Sequence, residues 1–372
     1  MKNAAPAVRY TGGVKTLKGR SRVMDEYIAF DSHKRYTLAE RDPVAGGRPR
    51  QQRIEHRRGA IREYLADCRP GGAVAVEATG NWYWIVDEIE QAGQKALLVH
   101  PGKAKLMMGM INKTDKLDVH GLNRLQRNKT LPTVWIAPGE LRDLRELTRT
   151  RMVFSRQRTR LKNRLGATLA KYGLVVEGFS DSFGVGARRL WPGLVAQLPP
   201  HTRFCAEVLL GELDGVCERI GWFEQRLGEV IKMTESMRLL LTLPGVGPIL
   251  AAVIALEMGD VSRFADAEHL ASYAGTTPRV HSSGDKTRYG RLRADVNRYL
   301  KWGFVEAANS IALHHRSHPD RHVSRLYVRL KDRKGHPKAI GAVARHLAEA
   351  SWHVLTRREP YRDPALGQTR KA

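Results

Sequence analysis

The sequence predicts a three-layer α/β domain followed by a mostly helical remainder. Three observations carry that expectation. Short apolar runs alternate with amphipathic segments of helix length through the first third of the chain. From Glu140 onward the periodicity is helical. A Leu-Pro-Gly-Val-Gly-Pro turn at 243–248 joins two of the later helices.

Residues 1–23 are rich in Gly, Lys and Arg without periodicity and read as a disordered basic tail. The α/β domain spans 24–138. Strands are expected at 27–30 and 36–39, joined by a hairpin-like connection at 31–35, and a third at 51–54. A helix follows at 60–68. A short buried strand at 74–76 ends at Glu77. A helix at 82–92 and a strand at 96–99 complete the alternation. A helical, coiled-coil region covers 139–238. Between Arg149 and Lys171 it carries eight Lys or Arg and no acid. Leu209, Leu213, Val216, Ile220, Phe223, Leu227 and Val230 then step by fours and threes, as a heptad does. Two core helices of one bundle and an intermolecular coiled coil explain that stripe equally well. A further domain spans 239–355. Its 243–248 turn reads as the hairpin of a helix-hairpin-helix element. There Gly245 and Gly247 let backbone N–H groups approach a phosphate. A plain turn between core helices is the alternative. Residues 356–372 are polar and read as a C-terminal tail.

The chain has 372 residues, enough for two or three cored domains. Lys plus Arg number 63 against 38 Asp plus Glu, a formal net charge of +25, which points to a nucleic-acid partner or an anionic membrane surface. No apolar run reaches the ~18–20 residues of a membrane span. The basic N-terminus has no apolar core behind it, unlike a secretory signal. Cys68, Cys205 and Cys217 have no metal-ligand spacing and read as reduced thiols of a cytoplasmic, nucleoid-associated protein.

In so basic a chain the placement of four acids is informative. Asp31 and Glu77 sit at strand ends, where they can meet at one edge of an open sheet. Asp115 and Asp118 are three apart and share a helical face. Four converging carboxylates repel unless cations bind. Two Mg²⁺ (or Mn²⁺) ions ~3.5–4 Å apart could there activate a nucleophile and stabilise a leaving oxygen on phosphate. A second cluster is His281-Ser282-Ser283-Gly284, followed by Lys286, Arg288, Arg291 and Arg293. A serine can attack a phosphodiester if neighbouring cations stabilise the charge that develops. A loop whose hydroxyls merely hold phosphate explains the same residues, and the residues alone favour it. His314, His315, His318 and His322 allow a metal site but read better as solvated or phosphate-facing groups.

These clusters, in this order, resemble the DEDD-type insertion-sequence transposases, the insertion sequence one-ten family, also called bridge-RNA-guided serine recombinases. The motifs are Ala29-Phe30-Asp31, Val76-Glu77-Ala78-Thr79-Gly80, Lys113-Thr114-Asp115-Lys116-Leu117-Asp118, Leu243-Pro244-Gly245-Val246-Gly247-Pro248, and Thr277-Pro278 through His281-Ser282-Ser283-Gly284 to Gly290-Arg291. They span roughly 24–355. The resemblance implies a RuvC-like (RNase H-type) N-terminal domain, a coiled-coil insertion and a transposase domain. It implies Asp31, Glu77, Asp115 and Asp118 as metal ligands and Ser283 as nucleophile, with Ser282 as rival. It further implies a covalent link to a 5′ phosphate, a guide (bridge) RNA pairing with donor and target DNA, and a homo-oligomer, a dimer assembling to a tetramer, with active sites shared between protomers. A metal-dependent, structure-selective endonuclease of the Holliday-junction resolvase type, using water, is the alternative.

Overall fold

A computed structural model describes residues 26–109, 114–284, 286–293 and 295–364. The expected basic tail and the motif residue Lys113 lie outside the described residues. The chain divides into two compact units after Ile136.

The first unit begins with strands β1 (Glu26–Ser32), β2 (Tyr36–Pro43) and β3 (Arg50–Glu55). Helix α1 (Ala60–Leu65), strand β4 (Ala73–Glu77), helix α2 (Trp82–Gln91) and strand β5 (Lys95–Val99) follow. Helices α3 (Pro101–Met108) and α4 (Asp115–Arg127) close the unit. The sheet order is β3-β2-β1-β4-β5. β1, β2 and β3 pair antiparallel, whereas β1, β4 and β5 run parallel. This mixed sheet accords with a RuvC-like fold.

Strand alternation builds the three layers. Ile28, Phe30, Val74 and Val76 point to one face and pack with Ile61 and Leu65 of α1 and Ile85 and Ile89 of α2. Ala29, Ala75 and Val99 point to the other and meet Val119, Leu122 and Leu125 of α4. The alanines let α4 lie close to the strands. Each large aliphatic or aromatic side chain buried this way contributes ~1.5–3 kcal/mol.

β1 runs two residues further than the apolar pattern indicates. Asp31 pairs with Leu38 and Ser32 with Thr37, so Asp31 lies within the strand and only 33–35 turn. Polar residues that end a ladder carry no hydrophobic signal, though their backbones still pair.

The second unit opens on α5 (Gly139–Ala170), then short helices α6 (Val185–Arg188) and α7 (Trp191–Ala196), then α8 (Pro200–Val230). α5 and α8 run antiparallel. Arg151 pairs with Glu224, Gln157 with Glu212, and Tyr172, just past α5, with Thr202. The heptad residues Leu213, Val216, Ile220 and Leu227 are buried, and Phe223 meets Phe154 of α5 at 5.6 Å. The stripe is thus used within one chain. α8 stops at Val230 because Thr234 caps a new helix, α9 (Glu235–Leu240), by accepting the Met237 N–H.

α10 (Pro248–Met258), α11 (Ala267–Tyr273), strands β6 (Pro278–Ser283) and β7 (Lys286–Leu292), then α12 (Arg298–His314), α13 (His322–Lys334) and α14 (His336–Arg357) complete the unit. Their common core includes Leu240, Ile254, Leu270, Phe304, Val323 and Leu347. Glu257 is fully buried at the end of α10. Arg149 of α5 answers its charge at 2.7 Å, and Asn297, the cap of α12, donates to it at 2.9 Å. A buried carboxylate needs such partners. Residues 358–364 pack back rather than extending as a tail. The Tyr361 N–H donates to Thr242, and Asp363 accepts from the His322 N–H and the Tyr361 hydroxyl. Among the described residues no helix is long and apolar enough to cross a membrane.

Candidate active site

The sheet of the first unit carries the acids. Val76 pairs with Phe30 in the parallel ladder, so Asp31 and Glu77 hold corresponding positions one residue on. By alternation both share the face of Ala29 and Ala75, the face α4 covers. Asp115 and Asp118 lie in the first turn of α4, whose N-terminus is capped by Thr114 accepting from the Leu117 N–H. Acids are stabilised there by the helix dipole.

The structure brings Asp31 and Asp115 together, and adds His33. His33 Nε2 lies 3.2 Å from Asp31 Oδ2 and 3.3 Å from Asp115 Oδ2. One ligand atom from each of these three residues falls within 4.8 Å of the other two. Asp31 is buried, which pushes its carboxyl above the ordinary range. Asp115 and Asp118 push it further in the same direction, while His33 opposes them. Clustered negative charge of this kind is what a divalent ion would relieve. Asp118 therefore belongs to the same field, and Glu77 stands at the neighbouring strand end. Neither is in the three-residue set.

Supporting groups surround the set. Tyr36 donates its hydroxyl to Asp115 Oδ2 at 2.8 Å, which holds the phenol above its usual range. Its ring stacks on His33 at 4.5 Å and lies under the Arg53 guanidinium at 3.8 Å. Asn81, four residues past Glu77, donates to the His33 carbonyl at 2.8 Å. This ties the segment after β4 to the β1–β2 turn. His33, Tyr36 and Asn81 were not singled out by the sequence. The one available signal was an imidazole two residues beyond a strand-end acid.

The serines lie in the second unit on the exposed β6–β7 hairpin. Ser283 pairs with Lys286, Ser282 with Thr287 and His281 with Arg288. Directly opposed residues share a face, and alternate residues share it too. Ser283 therefore shares its face with His281, Lys286 and Arg288. Ser282 projects from the other face, where its hydroxyl meets that of Thr287 at 3.3 Å. Gly290 presents no side chain on the first face, beside His281 and Arg279. Arg291 is exposed. Arg293 is committed to the hairpin's root, pairing with Asp295 at 3.0 Å and with Ser272. That hydrogen bond holds the Asp295 carboxyl down to about 2.

The two glycines of the 243–248 turn differ. Gly245 has φ of +75°, and a Cβ there would lie 2.3 Å from the Ala307 carbonyl oxygen of α12. Close packing therefore explains Gly245 without a phosphate. Gly247 caps α10 and has open space around it. Among the described residues the His314–His322 set does not gather into a metal site. His314 and His315 hydrogen-bond to carbonyls of α12, and His322 stacks on His346 at 4.9 Å.

Comparison with known proteins supplies the family. The profile described as "Transposase IS116/IS110/IS902 family" matches residues 237–324, the span holding the 243–248 turn and both serines. A second, described as "Transposase" and of the DEDD IS110 type, matches residues 43–173, including Glu77, Asp115 and Asp118. The chain is 27% identical over 295 residues to the "Transposase for insertion sequence element IS1111A" of Coxiella burnetii, covering 78% of this chain and 79% of that protein. It is 25% identical over 315 residues to a "Probable family 20 transposase" of Pseudomonas aeruginosa, covering 83% and 91%. A shorter segment of 126 residues, 31% of this chain and 30% of that protein, is 34% identical to the "Mini-circle putative transposase for IS117" of Streptomyces coelicolor. With the acids at one sheet edge and the serines on their hairpin, these matches place the chain in the IS110 family of insertion-sequence transposases.

Proposed function

We propose that this transposase cuts and rejoins DNA strands through a covalent 5′-phosphoserine intermediate formed on Ser283. The observation that carries the proposal is the face Ser283 shares with His281, Lys286 and Arg288. Ser283 Oγ attacks the phosphorus, the strand's 3′ oxygen leaves, and a 3′-hydroxyl from a second strand later displaces the serine. His281, on the same face, is placed to take the serine proton. Lys286 and Arg288 stabilise the charge on the phosphoryl oxygens. Ser282, bonded to Thr287 on the other face, is a structural hydroxyl.

Asp31, Glu77, Asp115 and Asp118 would hold Mg²⁺ or Mn²⁺, and the clustered charge around buried Asp31 fits such an ion. The bound ion would supply Lewis-acid stabilisation of the phosphate and of the leaving oxygen. Tyr36 orients Asp115 for that task. In this reading α5 and α8 form the coiled-coil arm, and α9 with α10 is a helix-hairpin-helix element that offers Gly247 to phosphate. The excess of 63 basic over 38 acidic residues serves DNA and the element-encoded bridge RNA, whose pairing selects donor and target. The working form is a homo-oligomer, a dimer assembling to a tetramer.

The test is denaturing-gel trapping on 3′-labelled donor DNA with the element RNA and Mg²⁺. A slow, protease-sensitive species made by the wild type and by Ser282→Ala, and missing from Ser283→Ala, is expected. Cleavage without an adduct, persisting in Ser283→Ala, would mean a hydrolytic nuclease instead.

A further inference from the structure

His33 belongs to no motif of the family resemblance, yet it is the residue that closes the ligand set. Its Nε2 is buried and lies 3.2 and 3.3 Å from carboxylate oxygens of Asp31 and Asp115, facing both at once. Buried polar atoms are ordinarily satisfied. A nitrogen set between two carboxylate oxygens, all within 4.8 Å of one another, is the donor arrangement of a three-ligand cation site. The ring is held in that attitude. It stacks on Tyr36 at 4.5 Å, its backbone N–H donates to the Tyr36 carbonyl at 2.9 Å, and its own carbonyl accepts from Asn81 at 2.8 Å. Tyr36 meanwhile fixes Asp115 from its other side.

We propose that His33 is a metal ligand, so that one ion is held by Asp31, Asp115 and an imidazole nitrogen, and that this gives the site a preference for first-row transition ions such as Mn²⁺ over Mg²⁺. The inference rests on the metal-dependent reading above and deepens it. Mg²⁺ takes oxygen ligands and surrenders water reluctantly, whereas imidazole favours the transition ions. The four acids alone would give an all-oxygen site with no such bias.

The experiment uses the full-length protein with MnCl₂ and reads bound Mn²⁺ by pulsed electron paramagnetic resonance. Nitrogen modulation from a coordinated imidazole is expected in the wild type. It should vanish in His33→Ala, with Mn²⁺ affinity falling by ~10-fold or more. His33→Asp should restore Mn²⁺ binding without nitrogen modulation and should narrow the gap between Mn²⁺ and Mg²⁺ affinities. Matching thermal melts of the variants establish that folding is intact. Mn²⁺ binding that depends on Asp31, but shows no nitrogen modulation and is indifferent to His33→Ala, overturns the role of His33 and leaves the acids' role standing. Absence of any Mn²⁺ binding lost in Asp31→Asn overturns both.

Discussion

Asp31 sits inside a paired strand, 6% exposed, with its neighbours held by a ring stack, a phenol hydrogen bond and an Asn81 contact. Ser283 ends strand β6, whose residues 279–283 are all exposed and which, among the described residues, pairs with β7 alone. Asp31 and Asp115 are thus held together by a packed three-layer scaffold. The serine is fixed at its root, where Lys301 donates to the Arg293 carbonyl and Val296 fills the space beside Gly275. Its tip has no core of its own. The proposed metal site needs converging charges at fixed distances, which a rigid sheet end supplies. On the proposed mechanism, a nucleophile that must meet a bulky duplex gains from standing clear of the body.

The largest effect that can break this contrast is at the tip. Ser283→Ala should lower strand exchange by ~10³-fold or more, while Ser282→Ala stays within ~10-fold. Equal losses in the two variants, scored as recombined product per unit protein, would remove the distinction drawn from the register. At the sheet end, Asp31→Asn and Asp115→Asn should abolish chemistry to a similar degree but leave DNA binding intact in a gel-shift assay. Loss of binding in both would make the acids structural.

How far the sequence revealed these regions follows from what each residue does. The strands were legible because Ile28/Phe30 and Val74/Val76 alternate with residues of the opposite face, and both α-helical faces answer them. The end of β1 was not, since Asp31 and Ser32 are polar and their pairing with β2 leaves no hydrophobic trace. The four acids were picked out by their position and order, and the fold brings Asp31 and Asp115 of them together. His33 was not, because a histidine in a turn has no periodicity and gains meaning only when the hairpin sets it against α4. That the two serines face opposite ways shows only in the register of β6 with β7. Gly245 was read for phosphate, whereas α12 passes so close that packing accounts for it.

That last point separates two glycines experimentally. Gly245→Ala places a side chain at φ of +75° and 2.3 Å from a carbonyl oxygen. It should destabilise the fold by more than ~1 kcal/mol, read as a lower urea midpoint. Gly247→Ala meets open space and should leave the midpoint nearly unchanged while weakening DNA binding. A reversed pattern would return Gly245 to the nucleic-acid surface. A smaller effect is expected at the sheet end from Tyr36→Phe, which frees Asp115 without removing a carboxylate. Metal affinity should fall by ~10-fold, with the melting temperature preserved.

The smallest effect concerns a part of the second unit that, unlike the hairpin, is closed by side chains from both ends of the sequence segment it joins. His346 on α14 is pushed down to about 4 by burial, with His322 adding to the push and Asp363 opposing it. Its Nε2 lies 3.2 Å from the Tyr361 hydroxyl, which in turn donates to Asp363. An ordinary histidine titrates near ~6.5, so between there and about 4 the unfolded chain binds a proton that the folded chain refuses. The stability contributed by neutral His346 is therefore complete above ~6.5 and is lost as pH falls through that window. Wild type should lose a few degrees of melting temperature between about pH 7.5 and pH 5, and His346→Gln should lose less. Gln is uncharged at both pH values and can still meet the Tyr361 hydroxyl, so the difference between the two curves isolates the imidazole. Parallel curves would mean that the docking of 358–364 draws no stability from keeping His346 neutral.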